Sequence, residues 1–179
     1  MTKPRHILVT GAAGFIGSNF VRIALESNYY VTGLDSLTYA GQRSTINHLK
    51  KFDKFRFCHD DIGNKNLLAS VVSNGHQAKL CGVVNFAAET HVDRSIEDPS
   101  LFYETNVFGT HNLIQCLIKS DVCSHDFRFV QIILVHFSSQ RNLSLLQSLE
   151  RFKIRVCRYM AMGSRCGIGC MLKTIVTQF

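Results

Sequence analysis

The segment "RHILVTGAAGFIGSNF", Arg5 to Phe20, sets the tightest limit on what this chain can fold into. A short apolar run ends at Thr10, and three glycines then fall three residues apart, at Gly11, Gly14 and Gly17. Phe15, Ile16, Phe20, Ile23 and Ala24 follow at helical spacing. The pattern predicts a buried parallel strand, a tight turn and a helix. In that setting Gly11 permits the turn, Gly14 lets backbone approach a bound group, and Gly17 lets the helix pack closely on the strand. Free backbone N–H groups at the helix start, with the positive end of its dipole, suit a diphosphate.

Tyr30–Asp35 ("YVTGLD") reads as a second strand ending in an acid, eighteen residues after Gly17. A carboxylate there can accept hydrogen bonds from the adenosine ribose of a dinucleotide. The same charge repels a 2′-phosphate, so the expected cofactor is NAD and not NADP. A solvated loop acid is the plainer reading of Asp35 alone, and strand, glycines and acid together favour the cofactor.

Strand and helix patterns keep alternating. Phe55–Cys58 alternates, Leu67–Ser73 has helical spacing, and Cys81–Ala88 ("CGVVNFAA") is a buried strand. Pro99 opens a helix reaching about Ser120, and Phe127–Val135 is a fifth strand. The expected fold is α/β: a Rossmann-like doubly wound parallel sheet with right-handed crossovers, in incomplete form. Past Val135 only a short helix over Leu143–Phe152 and a strand over Leu172–Val176 suggest themselves.

Charge divides the chain in two. The net charge is +7, yet residues 1–126 hold 12 basic and 12 acidic side chains and residues 127–179 hold 8 basic ones and Glu150. The sequence therefore predicts an NAD-binding domain over residues 1–135 and a divergent basic tail over 136–179. No apolar run approaches the ~18–20 residues of a membrane span, and the glycines interrupt the one stretch that resembles a secretory leader. The expected compartment is the cytoplasm. The seven cysteines form no CxxC pair, and Cys157, Cys166 and Cys170 lack a fourth ligand at familiar spacing, so no metal site is expected.

"VTGAAGFIGSNF", "LDSLTYAG", "HDDI", "NFAAETHVDRSIEDP" and "FYETNVFGTHNLI" together resemble the dTDP-glucose 4,6-dehydratases of the extended short-chain dehydrogenase/reductase superfamily, over about residues 5–132. The glycine loop is shared across that superfamily, whereas "LTYAG" and "AAETHVDRS" are more specific. The resemblance implies roles at matching positions. Phe15 and Ile16 follow the diphosphate loop; Asp35, Ser36, Leu37 and Thr38 border the adenosine ribose; Asp61 and Ile62 lie beside the adenine. Phe86, Ala87, Ala88 and Glu89 line the nicotinamide side, Thr105 lies near the cofactor, and Thr90 stands at the boundary with the sugar substrate. His91, Asp93 and Arg94 fit a site role or a local hydrogen-bonded turn equally well. The implied reaction is a lyase cycle of nucleotide-sugar metabolism, dTDP-glucose to the 4-keto-6-deoxy sugar, with paired carboxyl groups and a tyrosine–lysine pair as acid–base groups.

The chain departs from that family after Gln131. Where the family has a Ser-Thr-Asp-Glu segment, this chain reads "IILVHFSSQRN", and none of its tyrosines has a lysine four residues later. The composition change fits an altered reading frame, a retained non-coding segment or a disordered tail. No catalytic residue is therefore assigned, and the expectation is a chain that binds NAD without turning over. The alternative is a non-catalytic binding module whose basic tail attracts an acidic partner. Nucleic acid is the weaker form of that alternative, because the tail has few interleaved aromatics. An open sheet edge and an apolar helix face would favour a homodimer.

Overall fold

The computed structural model describes residues 4–73, 78–90, 98–120, 122, 127–134, 154–159 and 173–176. Among the described residues seven strands form one sheet: β1 (Arg5–Thr10), β2 (Tyr30–Asp35), β3 (Phe55–His59), β4 (Lys79–Asn85), β5 (Arg128–Leu134), β6 (Ile154–Tyr159) and β7 (Lys173–Val176). Their order is β3-β2-β1-β4-β5-β6-β7. The first five strands pair in parallel, and β6 and β7 add antiparallel strands beyond β5. Between the strands run α1 (Phe15–Glu26), α2 (Arg43–Leu49) and α3 (Lys65–Ser73). A longer rod follows β4: α4 (Ser100–Phe102), a π-helical stretch over Tyr103–Gly109, and α5 (Thr110–Lys119).

The apolar strands explain the sheet. Successive side chains of a strand point to opposite faces, and β1 shows the result, with Leu8 in one buried cluster and Val9 in the other. Leu8 packs among Leu34, Leu68, Val83, Leu113, Leu117 and Phe129. Val9 packs among Val21, Ala24, Leu25, Val31, Ile46, Leu49 and Phe55. A sheet covered on both faces needs apolar residues at nearly every central position, which is why β1 and β4 read as continuous apolar runs. Each fully buried aliphatic side chain contributes about 1.5–3 kcal/mol relative to exposure. Chain order reverses at β1: β2 and β3 lie to one side, β4 and β5 to the other. A crevice opens at such a reversal, outside the carboxyl ends of the strands.

Three details refine the sequence reading. β4 ends at Asn85, so Phe86 to Ala88 form its exit loop. The Phe86 N–H turns to the Thr10 carbonyl at 3.1 Å and the Ala87 N–H to Thr10 Oγ1 at 3.3 Å, so a side chain takes over from the ladder. The helix expected from Pro99 to Ser120 is present from Ser100 to Lys119, with the π-helical stretch inside it. A Cβ on Gly109 would lie 2.5 Å from Ile62 Cδ1, so a larger residue there would force the buried Ile62 side chain to shift. The strand expected at Leu172–Val176 is β7, whereas β6 was not legible in the sequence. The helix expected over Leu143–Phe152 lies outside the described residues. Among the described residues no helix is long and apolar enough to cross a membrane.

Candidate cofactor site

The glycine turn leaves β1 at the centre of the crevice. Gly11 has φ +64°, in the left-handed region open to glycine. A Cβ there would lie 2.7 Å from the Phe86 carbonyl carbon and 2.8 Å from Ala87 N. Gly11 therefore does more than turn the chain: it lets the β1 and β4 exit loops meet backbone to backbone. Gly17 has the packing role its spacing suggests, since a Cβ there would lie 2.0 Å from the Gly11 carbonyl oxygen. Gly14 caps α1 with no side-chain hydrogen bond, and the first turn of α1 holds no acid. No carboxylate of that turn competes for an anion at the helix start.

Asp35 joins the turn to the end of β2. Its Oδ2 accepts from the Ala13 N–H at 2.8 Å, inside the glycine turn. Its Oδ1 accepts from the Leu37 N–H at 2.7 Å, and Leu37 takes a left-handed φ of +52°. The loop then curls back. A Cβ on Gly41 would lie 3.0 Å from Asp35 Oδ1, and the Gln42 N–H donates to the Ala13 carbonyl at 3.1 Å. Two backbone amides thus fix the carboxylate, and its remaining lone pairs can accept from a vicinal diol.

The β3 exit loop closes the same end. The Asp60 N–H donates to the Asp35 carbonyl at 3.2 Å, and Asp61 Oδ1 accepts from the Gly63 N–H at 2.6 Å. Ile62 is buried beneath. Across the crevice, Thr10 and Asn85 are fully buried and hydrogen-bonded to each other through their side chains. The Asn85 amide also donates to Gln131 Oε1 at 2.6 Å and Thr110 Oγ1 at 3.2 Å, tying β4 to β5 and α5. At the tip of the β4 exit loop the Asn106 side chain pairs with the Glu89 backbone. It accepts from the Glu89 N–H at 2.8 Å and donates to the Glu89 carbonyl at 2.9 Å.

These loops enclose a cleft of about 470 Å³. It brings together Gly11, Gly14, Asp35, Ser36, Thr38, Asp61, Ile62, Phe86, Ala87, Ala88, Glu89 and Thr105. Other expected residues do not line it. Phe15 is 78 % exposed at the start of α1, Ile16 is half-buried on the same turn, and Gly17 packs against Gly11. Leu37 shapes the loop through its backbone, and Thr90 is half-buried one residue past the lining. Sequence reasoning missed Leu34, Ala40, Gly41, Asp60, Gly63, Leu101, Glu104, Phe108 and Asn112 in the lining. The last four share a helix face with Thr105, at spacings of three or four, and that spacing was readable. Among the described lining residues there are five carboxylates and no lysine or arginine.

The chain's similarities follow the same boundaries. Residues 8–133 match the family described as GDP-mannose 4,6 dehydratase. The chain is 46% identical over 130 residues to a dTDP-glucose 4,6-dehydratase of Xanthomonas campestris pv. campestris, an alignment covering 70% of this chain and 36% of that protein. It is 43% identical over 127 residues to the low-salt glycan biosynthesis protein Agl12 of Haloferax volcanii, covering 70% of this chain and 38% of that protein. The solved structure of DesIV, a dTDP-glucose 4,6-dehydratase from Streptomyces venezuelae with NAD bound, superposes with a TM-score of 0.57 at 45% identity. That superposition covers 64% of this chain and 36% of DesIV. The chain thus spans little more than a third of the length of the relatives it matches. With the glycine turn, the acid at the end of β2 and the "AAET" exit loop all falling inside the matched span, the chain belongs to the GDP-mannose 4,6-dehydratase family and is similar within it to the dTDP-glucose 4,6-dehydratases.

Proposed function

We propose that this chain holds NAD in the cleft at the carboxyl ends of β1, β2 and β4. In this reading it is the cofactor-binding part of dTDP-glucose 4,6-dehydratase chemistry and does not turn over alone. The observation that carries the reading is Asp35, whose two oxygens are fixed by the Ala13 and Leu37 amides beside a glycine turn. That arrangement orients an acceptor pair toward the adenosine ribose before any ligand arrives, which lowers the entropic cost of binding. The first turn of α1 receives the diphosphate, and the Ile62 side lies at the adenine. Phe86, Ala87, Ala88 and Glu89 form the wall at the nicotinamide, and Thr105 closes that side from the rod. Thr90, next along the chain, stands where the sugar nucleotide would meet the cofactor. NAD, when bound, supplies a hydride acceptor; this chain's own residues bind and orient it.

Turnover needs acid–base groups that this sequence does not carry, each worth ~10²–10⁴-fold. Calorimetric titration tests the binding reading. NAD is expected to bind, NADP to bind at least about tenfold more weakly, and Asp35→Asn to weaken NAD by about tenfold or more, since hydrogen bonds to a charged acceptor are the stronger ones. Soluble, monodisperse protein that gives no signal with NAD overturns the reading. Formation of the 4-keto-6-deoxy sugar from dTDP-glucose by the purified chain overturns the inactivity. The divergence after Gln131 fits an altered reading frame. Codons for Ser-Thr-Asp-Glu in another frame downstream of the Gln131 codon support that origin, and their absence from every frame removes it.

A further inference from the structure

We infer that Tyr39 and Glu89 form a strap across the mouth of the cleft that gates exchange of the dinucleotide, an inference that rests on the cofactor reading above. The Tyr39 hydroxyl donates to Glu89 Oε2 at 3.3 Å. Tyr39 stands four residues past the end of β2, and Glu89 four residues past the end of β4. β1 lies between those strands. Neighbouring strands are ~4.8 Å apart, so β2 and β4 are separated by roughly 10 Å. A bridge between their exit loops therefore has to cross the end of β1, where the Gly11–Gly14 turn begins. A dinucleotide reaching from Asp35 to the Phe86–Glu89 wall follows the same course, beneath the bridge.

The two posts are carried by different means. The Glu89 backbone is held from both sides by the Asn106 amide. On the other lip the loop is held by Asp35 to Leu37 and by Gln42 to Ala13, and the Gly41 N–H closes a turn on the Thr38 carbonyl at 3.0 Å; the Tyr39 side chain projects from that turn and is 54 % exposed. Thr38 and Ala40, on either side of Tyr39, line the cleft. The exposed phenol and the Glu89 carboxylate are thus the two halves of the strap. One solvent-accessible hydrogen bond does not seal the site. Its loss changes the rate of passage by a modest factor and acts on entry and departure alike.

Tyr39→Phe removes the hydroxyl and nothing else. In stopped-flow association and displacement of NAD, the variant is expected to raise both rate constants by about three- to tenfold, with Kd within twofold of the unsubstituted chain. Hydrogen–deuterium exchange of residues 36–41 without ligand should quicken in the variant. Unchanged rates in two proteins that both bind NAD overturn the strap alone, as does a change confined to one rate constant or unaltered amide exchange. Failure of the unsubstituted chain to take up NAD overturns the cofactor reading and the gating role with it.

Discussion

Asp35 shapes a loop and presents an acceptor with the same two oxygens. Its replacement therefore has two measurable effects. Asp35→Asn should weaken NAD as described above and also loosen the Ser36–Gly41 loop, since an amide has one acceptor oxygen for two backbone donors. Gly11 is less forgiving. An alanine there meets backbone at 2.7 Å in a left-handed conformation. Gly11→Ala is expected to destabilise the fold by about 2 kcal/mol or more and to abolish NAD binding, as read by urea denaturation and calorimetry. Much at this scale was legible, because glycine spacing and a strand-terminal acid follow from local rules. What escaped was long-range: that Gly11 abuts Phe86, that Leu37 turns through positive φ, and that Asn106 holds Glu89. The first and last depend on which segments the sheet order brings together, which chain-local patterns do not contain, while Leu37 turns within a local Asp35 loop that its residue type does not signal.

The elements tell a similar story about range. β1, β2, β4 and β5 announce themselves as short apolar runs because both faces of the sheet are covered, and α1 does so through its apolar spacing. The end of β4 was read three residues too far, since Phe86 and the two alanines are apolar and nothing local shows that Thr10 captures the Phe86 and Ala87 amides. The π-helical stretch was equally hidden, because nothing in the local spacing of Tyr103–Gly109 separates it from an ordinary helix. β3 and α5 carry a pH prediction. Burial pushes the thiols of Cys58 and Cys116 above their ordinary value, against the smaller opposing pull of Arg56 on the first and Lys119 on the second. For a thiol raised in the folded state, the unfolded chain ionises first. The stability contribution is thus fully present below the ordinary thiol range of about 8–9 and lost as pH rises through and above it. Unfolding midpoints should hold steady near neutrality and fall above about pH 9, and both thiols should resist alkylation at neutral pH.

For the molecule as a whole, the cleft and the two buried clusters share the same strands, so occupancy of one should be felt by the other. NAD at about one hundred times its Kd adds about 2.7 kcal/mol to stability. In a chain of this size that corresponds to a rise of about 5–10 °C in Tm, visible by circular dichroism melting. An unchanged melt at saturating NAD would contradict the assignment. Every described residue that lines the cleft lies between Gly11 and Asn112. The strands beyond β5 attach at the far side of the sheet from β2 and β3. Exchanging the strands beyond β5 for unrelated sequence would therefore leave every described wall of the cleft in place, a swap whose harmlessness to NAD affinity calorimetry can check.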